Sequence, residues 1–487
     1  MANFPLAAYA EKVALEITDL QFQQAYQAFV DDHPAYVDTQ HIDEIRREEY
    51  SRLDRHQHVY LDYTGASLYS EKLVLDSCKE LNETILGNPH SFNRPSLNSG
   101  EGVEKARNSV LEFVNAGPEY CAIFTANASQ AIKLVGESFP FCKSSRLLLS
   151  TDNHNSINGL TSFAKRLQAD IEYIPLEDFS LRMSQMDVLN RLKKHSGAPS
   201  LFAFPAQSNY SGIKHPLDWL EMAKNENWYT LLDVAAFMPT NSLDLSKISP
   251  DFICLSFYKM FGYPTGIGCL IAKKEALRKM KRPWFSGGTV IGASVKVGEH
   301  ILSGDEAGFE DGTVNYALLP VVSRGLTFLA DIGMDSINKR VMVLCEWLLR
   351  QMKDLRHCNE QALIQIYGPD TNDRRGGTIA FNLRDPNNEM WDPGMIEYIA
   401  NEYKISIRTG NHCNPGINEV AHNIESSLIE SLYQNKESEA SDNFLWGQQE
   451  IIPGVARISL GTVSNFKDVF SFVQFLLLFM NRKANDW

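Results

Sequence analysis

From Val59 to about Ala330 the chain alternates short apolar runs with amphipathic stretches, and few architectures accept that pattern. The apolar runs are CAIFTA (121–126), RLLLST (146–151), IEYIPL (171–176), SLFAFPA (200–206), YTLLDVAAF (229–237), DFICLSFYK (251–259) and GIGCLIA (266–272). Each is strand-length, and helical patterns separate most of them. Continuous apolar strands divided by helices fit a mainly parallel sheet covered on both faces. The last two runs lie too close together for a crossover helix, so an antiparallel pair is expected there.

Beyond about 330 the texture changes. A helix over 333–355, the strand TIAFNL (378–383), a helix over 393–403, the strands KISIRTG (404–410) and ARISLG (456–461), and a helix over 466–481 predict a smaller α+β lobe. Residues 1–58 are polar, with Val13, Leu15, Ile17, Leu20, Phe22 and Ala25 only partly in helical phase, and read as a helical arm. The expected organisation is an arm (1–58), a large α/β domain (59–330) and a small C-terminal domain (331–487). The polar stretch Gln434–Asn443 is expected to be a mobile insertion.

Charge narrows the partners. The 46 basic and 60 acidic residues give −14 at pH 7, with no Lys/Arg block, so neither nucleic acid nor an anionic membrane surface is expected. The longest apolar run, Val469–Met480, is broken by Ser471 and Gln474 and falls short of the ~20 residues of a membrane span. The opening residues meet acidic groups too early for a secretory signal. Eight cysteines without a CxxC pair read as reduced thiols of a cytoplasmic protein.

Polar residues at the ends of the apolar runs suggest chemistry. Asp233 and Lys259 each bring a charge to the carboxyl edge of the sheet, where open α/β folds place ligands. A desolvated lysine there can attack an aldehyde to form a Schiff base, and a carboxylate can keep a pyridinium nitrogen protonated. Both could equally be ordinary strand-end charges. FTANASQAIK (124–133) reads as a strand, a turn and a helix, so the backbone of Asn127, Ala128 and Ser129 could seat an anion, with Ser256 adding a hydroxyl. It could also be a plain helix cap. DNHNS places Asn153 and His154 after another strand, and FPAQSNYSG places Gln207 after a third. Five strand ends thus deliver polar groups to one edge, as a small-molecule site requires.

Together, VYLDYTGASLYS (59–70), FTANASQAIKLVGESFPF (124–141), DNHNSINGL (152–160), FPAQSNYSGIKHPLDWL (204–220), LLDVAAFMPTNSLDLS (231–246), DFICLSFYKMFGYPTGIGCLIAK (251–273), FEDGT (309–313), RTGNHCNPG (408–416) and ARISLG (456–461) resemble the fold-type I, class V aminotransferase group. That group uses pyridoxal 5′-phosphate (PLP). Within it the likeness is to the cysteine desulfurase-like domain of molybdenum cofactor sulfurases, and it runs from about 59 to 470. The resemblance implies a large domain with a mainly parallel seven-stranded sheet, a small α+β domain and a homodimer.

It also implies roles. Lys259 would bind the cofactor aldehyde, Asp233 its pyridine nitrogen and Gln207 its phenolate oxygen, while either Asn153 or His154 would cover the ring. Ser129, Ser256 and Tyr258 fall where the family binds phosphate, and Thr313 where the other subunit contributes. Arg457 matches the arginine that holds the substrate carboxylate, with Arg408 as a second substrate-binding candidate. Cys413 matches the cysteine that takes sulfur from L-cysteine as a persulfide, leaving alanine. Its Gly/Pro/Asn-rich loop is expected to be exposed and mobile, with Arg408 and His412 favouring the thiolate. Without the motif, Cys413 would read as a partly buried loop cysteine.

The second, molybdopterin-binding domain of those sulfurases is not expected in this chain, so the expectation is either that the sulfur passes to a separate acceptor or that the chain performs another PLP reaction. Alternative readings are another class V reaction that needs Lys259 and Asp233 but not Cys413 (a C–S β-lyase, an epimerase, or a specialised amino-acid modification) and a non-catalytic partner protein of the same fold.

Overall fold

The computed structural model describes residues 19–195, 197–304, 306–434 and 452–484. A short strand, β1 (Val59–Tyr60), is followed by seven that build one sheet: β2 (Tyr120–Thr125), β3 (Arg146–Ser150), β4 (Asp170–Ile174), β5 (Leu201–Pro205), β6 (Tyr229–Asp233), β7 (Phe252–Ser256) and β8 (Gly268–Lys273). Their spatial order is β2-β8-β7-β6-β5-β3-β4. All neighbours are parallel except β8, which runs antiparallel to both β2 and β7, as its short connection requires.

Every residue of β5 and β7 is buried, which explains their unbroken apolar text. In β5, Leu201 and Ala203 enter one apolar cluster while Phe202 and Phe204 enter the other, so the sheet is covered on both faces. The crossover helix Ala128–Ser138 buries Ala131, Ile132, Leu134 and Val135. Gly136 lets it approach the helix Leu160–Arg166, since a Cβ there would sit 2.6 Å from Phe163 and 2.7 Å from Leu160.

An exposed hairpin, β9 (Val290–Ser294) and β10 (Glu299–Leu302), precedes the helices Leu319–Ile332 and Met334–Asp354. The second sheet is antiparallel, in the order β11 (Ile364–Tyr367), β12 (Thr378–Leu383), β15 (Val455–Ser459) and β14 (Arg408–Gly410). Strand β13 (Ile405–Ser406) pairs in parallel with β1, and Asp62 bridges to Ser459. KISIRTG is therefore two strands, because the chain changes partner at the buried Ile407.

The same pairing puts residues 59–62 on the smaller lobe, where the apolar text alone had grouped them with the larger. The helices between Asp19 and Arg55 also pack on this lobe, with Phe29 stacked 4.4 Å from Phe466 and Arg46 paired at 2.5 Å with Asp468. Of the six arm positions named from sequence, Val13, Leu15 and Ile17 lie outside the described residues, as do positions 435–443 of the polar stretch.

Candidate active site

The carboxyl ends of β2, β3, β5, β6 and β7 open on one cavity of about 170 Å³. At its β2 end, Asn127 caps the helix Ala128–Ser138, its side chain accepting from Gln130 N at 2.9 Å. Ala128 N donates to Ser256 Oγ at 2.8 Å, and the Ser129 and Ser156 hydroxyls meet at 2.6 Å. Gly268 lies beneath this turn, where a Cβ would come within 2.5 Å of Asn127 Cα and C, so only glycine lets β8 pass so close. The result is a helix N-terminus with three serine hydroxyls at the cavity wall, a seat for an anion.

The middle of the cavity is lined by His154, Asp233 and Gln207. His154 Nδ1 accepts from Ser156 N at 3.1 Å, and burial lowers the ring's pKa, which keeps it neutral. Asn153 is fully buried and donates to Ser150 O at 2.9 Å, so of the two ring-covering candidates His154 is the one at the cavity. Asp233 is 8% exposed, with Oδ1 accepting from Ala235 N at 2.9 Å. Gln207 donates to Ala236 O at 2.9 Å and accepts from Asn241 at 3.4 Å.

Lys259 does not end a strand: β7 stops at Ser256, and the lysine lies in a single helical turn, Phe257–Phe261. The turn carries it and Tyr258 to the cavity wall. Among the described residues no hydrogen bond or ion pair engages Lys259 Nζ. Burial lowers its pKa; Asp233 opposes that shift, and Arg457 and Arg408 add to it. Such a lysine is a ready nucleophile.

The two arginines share one carboxylate. Asp62 accepts from Arg408 Nε at 3.0 Å and Nη2 at 2.6 Å, and from Arg457 Nη2 at 3.0 Å. Arg457 Nη1 donates to Asn209 O at 2.7 Å, while the buried Nε has no partner among the described residues. Asp62 thus engages both candidate substrate-binding arginines, Arg408 through two nitrogens and Arg457 through one. Arg457 keeps an unused donor behind Asn209, itself a cavity residue. The sequence reading missed Asp62, although the DYTG that contains it was part of the motif. Gly65 is the clue, because a Cβ there would meet Asp62 Oδ2 at 2.5 Å and Arg408 Nη2 at 2.8 Å.

Cys413 is exposed, as expected, but its loop is tied down rather than loose. Asn155 N donates to Cys413 O at 2.6 Å, Asn209 Nδ2 to His412 O at 2.8 Å, and Asn414 Nδ2 to Asp152 Oδ1 at 2.7 Å. His412 and Cys413 both have left-handed backbones (φ 53° and 56°), conformations of order 1–3 kcal/mol each that persist only under such restraint. His412 is buried against Tyr210, and burial together with Arg457 and Arg408 holds its pKa well below the ordinary value. It therefore offers Cys413 no positive charge, contrary to the sequence reading. Arg457 and Lys259 are cations close enough to Cys413 for their charges to be felt there. Thr313 is exposed on the outer surface, within 3.5 Å of Asn88 Nδ2, and does not line the cavity.

The family description Aminotransferase class-V matches residues 59–472, a span that holds both sheets and the whole cavity wall. The chain belongs to the class-V aminotransferase family. Among relatives of this family member, a molybdenum cofactor sulfurase from Solanum lycopersicum is 34% identical over 471 residues, covering 89% of this chain and 57% of the relative. The chain thus spans little more than half the length of such relatives.

Among solved structures, an apo cysteine desulfurase from Thermococcus onnurineus superposes with a TM-score of 0.75 at 22% identity, covering 90% of this chain and 98% of the other. A cystine C–S lyase complexed with cysteine persulfide gives 0.66 at 16% identity, covering 87% and 98%. These two likenesses show the fold. PLP is the cofactor of this class-V protein, and the residues fit it. The anion seat of Asn127, Ala128, Ser129 and Ser256 suits a phosphate, the neutral His154 a ring face, Asp233 a pyridine nitrogen and Lys259 an aldehyde.

Proposed function

We propose that this chain removes sulfur from L-cysteine and carries it as a persulfide on Cys413, releasing L-alanine. The observation that carries the reading is the hydrogen bond from Asn155 N to Cys413 O at 2.6 Å, which ties the backbone of an exposed cysteine to the residue between His154 and Ser156, both of which line the cavity with Lys259.

Bound in the cavity, PLP supplies an electron sink for the substrate amine carbon. Arg457, turned by Asp62 and Asn209, binds the substrate carboxylate through guanidinium N–H groups that those two bonds leave unused. Asp233 holds the proton on the pyridine nitrogen. Lys259, with its pKa lowered by burial, takes the proton from the substrate Cα and returns it. His154, neutral, covers the ring and excludes water. The Cys413 thiolate attacks the substrate sulfur: the Cβ–S bond breaks, an S–S bond forms, and the proton given up by the thiol is matched by one gained at Cβ. The sum is L-cysteine plus Cys413 thiol giving L-alanine plus Cys413 persulfide, with no outside oxidant or reductant.

We further infer a homodimer, a separate sulfur acceptor and a cytoplasmic location. Thr313 meets Asn88 at 3.5 Å, and the segment around Asn88 carries the exposed apolar residues Ile85 (76% exposed) and Phe92 (95%), which favours a second copy covering them. All eight cysteines are free, which favours a reducing compartment.

The test is product analysis with PLP-loaded protein, L-cysteine and a reductant. Alanine and sulfide in equal amounts, both lost in Cys413→Ala, are expected. Pyruvate and ammonia, formed equally well without Cys413, would replace this reading with a β-lyase.

A further inference from the structure

The loop that carries Cys413 is held by side chains that the chemistry above leaves unused. Asn414, the next residue, is fully buried, and its amide donates to Asp152 Oδ1 at 2.7 Å and to Asn209 Oδ1 at 3.0 Å. Asp152 is fully buried as well. It accepts from Ser208 at 2.9 Å and lies 3.0 Å from His215 Nε2, so one carboxylate joins the loop after β3, the loop after β5 and the Cys413 loop. Asn209 donates back to His412 O at 2.8 Å while its own carbonyl receives Arg457. Gly416 closes the contact, since a Cβ there would sit 2.3 Å from Thr151 O.

We propose that Asn414, Asp152 and Asn209 form a latch that fixes Cys413 in its left-handed conformation beside the cavity, making them positioning residues for the sulfur-accepting thiol. This rests on the sulfur-carrier reading of Cys413. The left-handed pair His412–Cys413 is the reason a latch is needed: left unrestrained, these residues relax to ordinary backbone and the thiol turns away. The bond that matters most is from Asn414 to Asp152, because it is charge-assisted and shielded from water. Asn209 adds a second function, since the residue that holds the loop also turns the arginine that binds the carboxylate. The loop and the substrate arginine are thus set by one side chain and its carbonyl.

The experiment compares PLP-loaded wild type, Asn414→Asp and Asn414→Ala. The aspartate is isosteric but brings a second carboxylate to Asp152, and the alanine removes the amide without adding charge. The first readout is the alkylation rate of Cys413 by iodoacetamide, measured on its peptide by mass spectrometry, and the second is sulfur transferred to Cys413 from L-cysteine. Alkylation in Asn414→Asp is expected to change by about tenfold, with sulfur transfer falling by about a hundredfold at little change in KM. The contrast with wild type at the same pH should shrink as the pH falls, because two facing carboxylates come to share a proton. Asn414→Ala should show the same two effects without that pH dependence. If both variants alkylate and accept sulfur as wild type does, the latch is overturned. A wild type that alkylates at Cys413 but never accepts sulfur overturns the sulfur-carrier reading alone, and the alkylation contrast still decides the latch.

Discussion

Asp62 holds Arg457 through a single hydrogen bond at 3.0 Å while gripping Arg408 with both carboxylate oxygens. The two arginines are cross-strand partners on β14 and β15, so without the carboxylate two guanidiniums would face each other. Asp62→Asn is expected to leave Arg457 misdirected, raising KM for L-cysteine about tenfold with a smaller change in kcat. Stability should fall by about 3 kcal/mol, because the Arg457 side of the cluster is buried. Steady-state kinetics and urea denaturation measure the two effects, and an unchanged KM would show that Arg457 does not bind the carboxylate.

Asp233 and Lys259 act on each other in a known direction. Asp233 raises the lysine pKa against the larger lowering by burial, so Asp233→Asn should lower it further. Lysine reacts as the free amine. The pH midpoint for loading of the apoprotein with PLP should therefore move down in the variant. Turnover should fall by a factor of about 100 or more, since the pyridine nitrogen loses its carboxylate. Absorbance titration follows the first quantity and alanine release the second; a midpoint that moves up would reverse the assignment.

The strand-end chemistry was legible because a polar residue that closes an apolar run stands out in the text. Asp233, Gln207 and the Asn127–Ser129 turn were found that way, and the structure gathers them in one cavity. Asp62 was not found, because its role depends on β1 pairing with β13, some 345 residues away, and no local pattern encodes that contact. Asp152 and Asn209 were hidden for the same reason. The hairpin β9–β10 went unnoticed because it buries neither face, so its residues show no apolar run. Lys259 was placed at a strand end because FYKMF is as apolar as the strand before it, and periodicity cannot separate a single helical turn from its continuation.

Gly268 gives a test of the anion seat that touches no catalytic group. The Cβ of Gly268→Ala would meet Asn127 backbone at 2.5 Å, and backbone cannot swing aside as a flexible side chain does. PLP affinity should weaken about tenfold, measured by equilibrium dialysis. Unchanged affinity would mean that the turn at Asn127 does not hold the phosphate.

His422 sets part of the acid stability of the smaller lobe. It lies 5.2 Å from the Tyr367 ring, and burial, with Arg384 nearby, lowers its pKa to about 4. Between that value and its unfolded pKa near ~6.5 the unfolded chain binds the extra proton, so acidification through this window favours unfolding. The melting temperature should fall across the window, and His422→Phe should reduce that fall by roughly 2 °C in scanning calorimetry. An identical slope in the variant would remove His422 from the titration.

The most direct measurement is mass spectrometry of the Cys413 peptide after a brief exposure of the PLP-loaded protein to L-cysteine without reductant. One added sulfur on Cys413, with an equal amount of alanine, is the expected result. Alanine or pyruvate formed while Cys413 stays an unmodified thiol would contradict its role as the sulfur carrier.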